Sequence, residues 1–348
     1  MAKKAKFAKP ADIKVGVIGY GGAFNMGRHH LNEMKQAGMT PVAVCEIDPA
    51  RLKVAETDFP GIKTFSKIED LLAKSDANIV TIITPHNTHA DIALKCLKAG
   101  KSVVCEKPLA ITTAECDAMI AAAKANKVVI STYHNRHWDG CILKAVEVIG
   151  SGAIGDIFRI DAHMGGFGQP GDWWRSSKSI SGGILYDWGV HLLEYSLQLF
   201  KGEKIEEVMG VAQTGFWAPK TAWKKDTNED EGFGLVRFKS GKFLTLCISA
   251  LNPLPSNKWL EIRGTKGSYA FDHGSWDLTT FNEKKEKVVV SGGSPASEGH
   301  KLYQNIADHL VKGDDLVITG EWARRPIHIL DLIDQSAKKG AAMKAKYQ

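Results

Sequence analysis

Residues 13–27, IKVGVIGYGGAFNMG, lead from an apolar run directly into a group of closely spaced glycines. An almost continuously apolar run of this length predicts a strand that is buried on both faces of a parallel sheet. Glycines between such a strand and a helix let the backbone approach a pyrophosphate, which then lies at the positive N-terminus of the helix. The spacing departs from G-x-G-x-x-G, because Phe24 holds the third position and Gly27 comes three residues later. The stretch therefore predicts a nucleotide-binding strand–helix unit.

Strand and helix patterns alternate through the rest of residues 11–134. This alternation predicts a doubly wound α/β domain built on a parallel sheet. Thr112 or Thr113 suits the N-cap of the last helix, and Asn126 suits its C-cap. The predicted strands are 13–19, 41–45, 79–84, 102–105 and 128–133, and the predicted helices are 28–37, 49–58, 68–74, 88–99 and 113–125.

The pattern changes after residue 134 to short strand-like runs joined by tight turns at 239–242 and 264–267. Such runs predict a mostly antiparallel sheet, with helices on one face. We therefore expect two domains in an α/β chain: a dinucleotide-binding Rossmann domain over 11–134, and a second α/β domain with a mostly antiparallel sheet over 135–348. The predicted strands of the second domain are 156–163, 208–216, 232–238, 243–250, 259–263, 268–271 and 288–290, and its predicted helices are 139–151, 185–200, 302–311 and 322–338.

Composition excludes several classes of protein. The net charge of +6 over 348 residues is spread out, with much of the excess at the two ends and no internal basic stripe, which argues against a nucleic-acid partner. No apolar run approaches the roughly 20 residues of a membrane helix, and the basic N-terminus lacks the apolar region of a signal peptide. The six cysteines show no C-x-x-C pair. We expect a cytoplasmic protein with no membrane partner, no disulfide framework and no metal site.

An acidic residue follows the second predicted strand. Glu46 lies 27 residues after Gly19, near the distance at which an acid binds the ribose 2′-hydroxyl of a dinucleotide. A carboxylate there would repel a 2′-phosphate, which favours NAD over NADP. Asp48 is an alternative ribose contact and Arg51 lies nearby. In the competing interpretation, Glu46 and Asp48 only begin the second helix.

Polar side chains also follow the strands at 79–84 and 102–105. The second of these ends in VVCEKPLA, where Glu106 and Lys107 are costly to place unless both have partners or a function. The carboxyl ends of strands in a doubly wound sheet bind ligands, so these side chains should line the cofactor crevice. Far downstream, Asp187 and His191 stand at i and i+4 of a predicted helix, on one face.

The motifs together resemble the Gfo/Idh/MocA family of oxidoreductases. The resemblance is carried by G-x-G, T-P-x-x-x-H at 84–89, E-K-P at 106–108, the N-R pair at 135–136, W-R at 174–175 and G-G-x-x-x-D-x-G-x-H at 182–191. It extends over nearly the whole chain. It implies a Rossmann domain followed by a substrate-binding and oligomerisation α/β domain with an open sheet over 135–348, and a nicotinamide-dependent enzyme that acts on sugars and cyclitols.

The resemblance implies a catalytic group of Lys107, Asp187 and His191, and the residue types suit the oxidation of a secondary alcohol. Such a reaction needs a base, and His191 has an ordinary pKa of about 6.5. Asp187 would orient it, while Lys107 would stabilise the developing alkoxide. Lys107 is the alternative base, since burial beside a cationic cofactor lowers a lysine pKa. In the structural alternative, Glu106 forms an ion pair and Lys107 is solvated.

The expected contacts divide into two sets. For the cofactor they are Gly19, Gly21, Gly22, Phe24, Asn25, Met26, Glu46, Arg51, Thr84, Pro85, His86, His89, Glu106, Lys107 and Asn135; for the substrate they are Lys107, Arg136, Trp174, Arg175, Asp187 and His191. Alternatively, His89 caps a helix, Arg136 forms a structural ion pair and Trp174 belongs to a core. His29 and His30 have no catalytic partner in view and are interpreted as structural.

Two activities suit these residues. The first is an NAD-dependent dehydrogenase of a sugar, glycoside or cyclitol. The alternative is a redox-neutral NAD-dependent glycosidase or lyase that oxidises C3 transiently, with Tyr186 supplying a second proton transfer. A catalytically silent cofactor-binding regulator is disfavoured, because Lys107, Asp187 and His191 are all present. The resemblance further implies a small carbohydrate or polyol substrate and a homodimer or homotetramer.

Overall fold

The structure is a computed structural model that describes residues 6–347, and the chain divides into two compact units. The first consists of the chain up to Asn135 together with His300–Arg324. The second consists of Arg136–Gly299 and Arg325–Gln348. Within residues 6–347, no helix is long and apolar enough to cross a membrane.

The first unit contains a six-stranded parallel sheet in the order β3-β2-β1-β4-β5-β6, which confirms the predicted doubly wound fold. Its strands are β1 Lys14–Ile18, β2 Thr40–Cys45, β3 Lys63–Phe65, β4 Ile79–Ile82, β5 Ser102–Cys105 and β6 Ile130–Thr132. Its helices are α1 Met26–Gln36, α2 Pro49–Asp58, α3 Ile68–Lys74, α4 His89–Lys98, α5 Thr113–Ala125 and α9 Lys301–Lys312.

Burial explains why these strands occupy the centre of the sheet. Every residue of β4 and β5 is buried, as expected of strands covered by helices on both faces. The helix after β5 begins at Thr112, whose hydroxyl accepts a hydrogen bond from the Glu115 N–H in a capping box. The sheet therefore fixes where each strand ends, and its carboxyl edge carries the polar residues described below.

Helix α9 belongs to the first unit, which differs from the predicted boundary of 135–348 for the second domain. Its buried face, made of Leu302, Tyr303, Ile306 and Leu310, packs within the first unit and contacts α1. The Leu310 carbonyl also accepts the N–H of Lys6. An amphipathic helix can be recognised from its sequence, but the surface that it covers cannot, so chain order assigned α9 to the wrong unit.

The second unit contains a nine-stranded sheet in the order β14-β13-β12-β11-β7-β10-β9-β8-β15, in which only β7 and β10 pair in parallel. This confirms the predicted, mostly antiparallel sheet. Its strands are β7 Ile157–Gly165, β8 Ile205–Gln213, β9 Glu231–Phe238, β10 Phe243–Ser249, β11 Leu260–Gly264, β12 Ser268–Phe271, β13 Ser275–Phe281, β14 Lys287–Gly293 and β15 Met343–Lys344. Its helices are α6 Gly140–Gly150, α7 Lys178–Ser181 and α8 Leu185–Leu199, and α10 is Gly320–Lys339.

Glycines let α10 approach the sheet of the second unit closely. A Cβ atom on Gly210 of β8 would lie 2.1 Å from the Ile333 carbonyl oxygen, and one on Gly234 of β9 would lie 2.2 Å from the Ile333 Cδ1. The opposite face of the same strands leaves Met209, Val211 and Leu235 exposed. The sheet is thus covered by a helix on one face and open on the other.

The close approach of α10 predicts a large cost for Gly210→Ala. The added methyl group meets backbone rather than a flexible side chain, so we expect a loss of about 1–3 kcal/mol in the stability of the second unit. Thermal unfolding of the two variants would measure it against Gly150→Ala, since a Cβ on Gly150 at the end of α6 meets nothing within 4 Å. Equal melting temperatures for both variants would contradict the packing described here.

Candidate active site

The glycine-rich loop between β1 and α1 contains two kinds of glycine. Gly19 has a φ of +100°, and a Cβ there would lie 2.3 Å from the Ile83 carbonyl oxygen. Gly27 is similarly constrained, since its Cβ would lie 2.5 Å from the Tyr20 ring. Gly21, in contrast, is exposed and has no atom within 4 Å of its Cβ position. The first two glycines are needed by the fold, whereas Gly21 leaves bare backbone beside the N-terminus of α1, which fits a dinucleotide phosphate.

Glu46 fastens this loop to the end of β2. Its carboxylate accepts hydrogen bonds from the N–H groups of Tyr20 at 2.6 Å, Ile47 at 2.7 Å and Asp48 at 3.1 Å. A carboxylate has about four acceptor positions, so one remains for a ribose hydroxyl. Asp48 caps α2 by accepting the Ala50 N–H. The structure therefore gives Asp48 the helix-starting role of the competing interpretation, and leaves Glu46 with room for a ligand.

Arg51 places a positive charge beside the same loop. Its Nε donates to the Tyr20 carbonyl at 2.9 Å, and its Nη2 donates to Asn25 Oδ1 at 3.1 Å. Its Nη1 would lie 3.3 Å from a Cβ on Gly22. Asn25 has a left-handed backbone conformation immediately before Met26, the first residue of α1. The predicted cofactor residues of this loop are thus held together by Glu46 and Arg51.

His89 connects two strand-end segments inside the first unit. Its Nδ1 lies 2.8 Å from the Pro108 carbonyl oxygen and its Nε2 lies 2.9 Å from the Thr84 carbonyl oxygen. The side chain is completely buried, and the ring of His86 lies 5.7 Å away. Both ring nitrogens of His89 thus face backbone carbonyls, and its cofactor contact stays a prediction. The two contacts link the segment after β5 to the segment after β4, which carries the half-buried Thr84 and Pro85.

Glu106 and Lys107 leave the end of β5, as predicted. Glu106 Oε2 accepts the Lys107 N–H at 2.9 Å, and Glu106 Oε1 lies 3.0 Å from His30 Nε2. Lys107 is half-buried. The sequence interpretation missed the contact of His30. Its spacing from Gly27 and Leu31 does place it in the buried stripe of α1, a signal that could have raised the question of its partner.

In the second unit, Asp187 and His191 lie one turn apart on α8, as predicted. Asp187 forms an ion pair with Arg175, whose guanidinium lies 5.1 Å from the centre of the Trp174 ring. His191 is almost completely buried, and its ring lies 5.5 Å from that of Trp188. The structure therefore brings Asp187 together with Arg175 and Trp174, and places His191 beside an aromatic face.

Arg136 is attached to the same helix. Its guanidinium lies 4.9 Å from the centre of the Trp188 ring and donates to Asp139 at 2.8 Å. Asp139 also accepts the Tyr195 hydroxyl of α8 at 2.5 Å. The structural ion-pair alternative for Arg136 is thus realised, while its contact with Trp188 keeps it beside His191.

A second carboxylate fastens the segment after Arg136 to α8. Glu194 Oε1 lies 2.6 Å from His137 Nδ1, and its other oxygen accepts the Gln198 amide at 2.7 Å. The guanidinium groups of Arg136 and Arg175 therefore each face a carboxylate, as does the ring of His137. Among residues 6–347, no group of three or more His, Cys, Asp or Glu side chains is arranged to hold a metal ion.

The predicted catalytic group is distributed over both units. Lys107 and Asn135 belong to the first unit, and Asp187 and His191 to the second. The assembly of Lys107, Asp187 and His191 into one catalytic group therefore stays a prediction, as do the cofactor contacts of Phe24, Met26, His86 and Asn135.

Two family models match this chain. The model described as an oxidoreductase family with an NAD-binding Rossmann fold matches residues 13–134. The model of the GFO/IDH/MocA C-terminal domain matches residues 142–270.

Individual relatives agree with these matches. The chain is 29% identical to scyllo-inositol 2-dehydrogenase (NADP(+)) IolW of Bacillus subtilis over 94% of each chain. It is 34% identical to an uncharacterized oxidoreductase of Schizosaccharomyces pombe, but that alignment spans only 40% of the relative and 42% of this chain. The structure of levoglucosan dehydrogenase in complex with NADH and levoglucosan superposes with a TM-score of 0.82 at 22% identity, covering 97% of this chain and 100% of that one. This last similarity concerns the fold alone.

The burial of His89 predicts a pH-dependent stability. Burial lowers the pKa of His89, outweighing the opposing effect of its two carbonyl contacts. Below the ordinary pKa of about 6.5 the unfolded chain binds a proton that the native ring does not, so stability falls as the pH drops towards the lowered value. We expect the melting temperature to fall less between about pH 7.5 and about pH 5.5 in His89→Gln than in the wild type. His300→Gln, at an exposed histidine of the same unit, should follow the wild type; identical pH dependence in all three proteins would refute the assignment.

Proposed function

The chain belongs to the Gfo/Idh/MocA family of oxidoreductases, and from this premise we propose that it is an NAD-dependent dehydrogenase of a secondary alcohol in a sugar, glycoside or cyclitol. The observation that carries the proposal is the pair Asp187 and His191, one turn apart on α8, with Asp187 bonded to Arg175. A relative similar over nearly its whole length is named as an inositol dehydrogenase, which supports the choice of substrate class.

The proposed roles follow from the chemistry of each side chain. A bound nicotinamide supplies the hydride acceptor. Lys107 donates a hydrogen bond to the reacting oxygen and stabilises alkoxide charge as it develops. His191 takes the hydroxyl proton, with Lys107 as the alternative base. Arg175 fixes the carboxylate of Asp187, so that Asp187 presents a constant negative charge on the face of α8 that also carries His191.

The paired charges of the second unit favour a neutral substrate. Arg136 faces Asp139 at 2.8 Å, and Arg175 is paired with Asp187. Neither guanidinium therefore offers an uncompensated positive charge to a carboxylate. Aromatic rings such as those of Trp174 and Trp188 suit the apolar C–H faces of a ring polyol. We propose an inositol or neutral pyranose rather than a sugar acid.

The cofactor proposed is NAD, with NADP less favoured. Glu46 retains one acceptor position beside the glycine-rich loop, where a ribose hydroxyl could donate and a 2′-phosphate would be repelled. Arg51 opposes this preference, since its charge would attract the same phosphate. Removing the charge of Glu46 should therefore favour NADP, and removing the charge of Arg51 should favour NAD.

The experiment that tests the function is the absorbance of reduced nicotinamide during turnover of a panel of inositols, neutral aldoses, uronates and aryl glycosides. The proposal expects NADH to accumulate with a neutral polyol, and less efficiently with the matching uronate. Release of an aglycone without net NADH would instead assign the protein to the redox-neutral glycosidases. A uronate preferred over every neutral compound would refute the substrate class.

Lys107→Met should abolish turnover while leaving the cofactor bound. Loss of the ammonium removes the group that stabilises the alkoxide, and losing one such donor costs about 100- to 1,000-fold in kcat. NADH binding, followed by protein fluorescence, should change little. Lys98→Met makes the same substitution at an exposed position of α4 and should behave as the wild type. Full activity of Lys107→Met would contradict the catalytic assignment.

Glu46→Gln should shift cofactor preference towards NADP, because the amide keeps an acceptor oxygen for the loop but lacks the charge. We expect the ratio of kcat/KM for NAD to that for NADP to fall about tenfold, equivalent to about 1.4 kcal/mol. Arg51→Leu should raise the ratio. Glu56→Gln, at an exposed position of α2, is the matched control and should leave it unchanged. An unaltered ratio in both test variants would rule out the assignment of Glu46 and Arg51.

We also propose that a second copy of the chain covers the open sheet face, giving a homodimer or homotetramer. Met209 and Leu235 face each other on β8 and β9, and both are exposed together with Val211. Leu235→Asp should therefore reduce the molar mass in solution, measured by light scattering after gel filtration. Val317→Asp changes an exposed valine of the first unit and should not. A wild-type monomer at micromolar concentration would exclude the proposal.

A further inference from the structure

A buried hydrogen-bonded chain, which we call the His30 chain, ends on the carboxylate beside Lys107. It consists of Thr81 on β4, Tyr303 on α9, His30 on α1 and Glu106 after β5. The Thr81 hydroxyl lies 3.1 Å from that of Tyr303, which lies 2.8 Å from His30 Nδ1. His30 Nε2 lies 3.0 Å from Glu106 Oε1. Thr81, Tyr303 and His30 are completely buried.

The bonding capacities of these groups set a direction along the chain. An ionised carboxylate only accepts hydrogen bonds, so His30 Nε2 must donate to Glu106. In a neutral imidazole, Nδ1 is then an acceptor, and the Tyr303 hydroxyl donates to it. The Tyr303 oxygen in turn accepts from Thr81. Each donor therefore points towards Glu106, and the chain fixes the tautomer of His30 and the orientation of its ring.

Glu106 transmits this arrangement to Lys107. One of its oxygens faces His30 and the other accepts the Lys107 N–H at 2.9 Å. Burial alone would raise the pKa of Glu106, but the hydrogen bond from His30, together with the ammonium and N–H of Lys107, holds it below the ordinary value. The carboxylate is thus charged, and fixed in position, directly beside the backbone from which Lys107 extends.

Burying this many polar groups costs free energy that apolar groups in the same space would not, so packing alone does not account for them. Apolar residues would fill the space between α1, α9 and β4 without any requirement for partners, whereas each polar group here must be satisfied. Several other ionisable groups surround the chain. Tyr133 packs 4.2 Å from the His30 ring, and its hydroxyl bonds Glu33 and His29. The charge of Lys107, which follows β5, acts on Glu106, and the charge of Glu106 acts on the buried His89 of α4 and on His29 of α1.

We propose that His30 is a positioning residue for Lys107, acting through Glu106. It holds the Glu106 carboxylate in place through the contact of its Nε2, and the carboxylate in turn accepts the Lys107 N–H and so fixes the backbone from which the lysine extends. The inference rests on the proposed function in so far as Lys107 is catalytic. The protonation and placement of Glu106, however, are properties of the first unit that exist without substrate or turnover.

The first measurement is therefore the infrared spectrum of the protein without substrate, as a function of pH. The band of the protonated Glu106 carboxyl is assigned by its loss in Glu106→Gln. In His30→Leu the carboxylate loses its donor, so the band should appear at a pH at least about one unit higher than in the wild type. His30→Gln, whose amide keeps a donor, should restore most of the wild-type titration. His300→Leu, at an exposed histidine of the first unit, is the matched control and should titrate as the wild type.

Kinetics provide the second readout. His30→Leu should lower kcat by about ten- to a hundredfold, the range expected when a catalytic group is misplaced, and its loss of activity in acid should begin at higher pH. NADH binding should change less than about threefold, and His30→Gln should recover most of the rate. Since Glu106 becomes protonated at higher pH in the variant, the two measurements should shift in the same direction.

The outcomes separate this inference from the proposed function. An unchanged Glu106 titration and an unchanged kcat profile in His30→Leu would overturn the role of His30. Full activity of Lys107→Met, with a shifted Glu106 band in His30→Leu, would refute the catalytic lysine but keep the electrostatic link. If His30→Leu does not fold, Tyr303→Phe decides, because it removes one hydroxyl without changing the ring. A titration and kcat profile equal to the wild type in that variant would overturn the proposal.

Discussion

A charged pair at the end of a buried parallel strand is the constraint on which the proposed chemistry depends. β5 is hydrogen-bonded on both sides, by β4 and β6, so Glu106 and Lys107 leave the sheet at a fixed place. A carboxylate there requires partners, and it finds them in His30 and in the Lys107 N–H. Helix α1 supplies His30 and also begins at the glycine-rich loop. One helix therefore connects the proposed phosphate site with the proposed catalytic lysine.

The sequence was sufficient to predict those secondary-structure elements in which all residues share the same environment, such as a strand buried on both faces. Strands buried on both faces are mostly apolar, and helices between them end at recognisable caps, so the parallel sheet could be predicted. β3 is only three residues long and begins with an exposed lysine, and β13 is half-buried along most of its length, so neither has a clear pattern. The place of α9 depends on which surface receives its apolar face, and an amphipathic pattern does not encode that surface.

The motifs predicted that Lys107 follows a strand and that Asp187 and His191 lie one turn apart on a helix, and the structure has them there, while their catalytic role stays a prediction. Partners that come from distant parts of the chain could not be predicted. His30 is separated from Glu106 by 76 residues and from Tyr303 by 273, and only the fold brings the three together. For His89, the position after a strand suggested a ligand contact, which stays a prediction; in the structure both of its ring nitrogens face carbonyl groups. A polar residue in the apolar stripe of a helix thus needs a buried partner, and a single sequence does not show which residue that partner is.

The central claim is that hydride passes between a carbinol carbon and the nicotinamide. The most direct test is to supply the best neutral polyol with deuterium on its reacting carbon, and to determine the mass of the NADH that forms. The account predicts one deuterium in each reduced cofactor and a slower rate with the labelled polyol. Unlabelled NADH, or release of product with no reduced cofactor at any time, would contradict it.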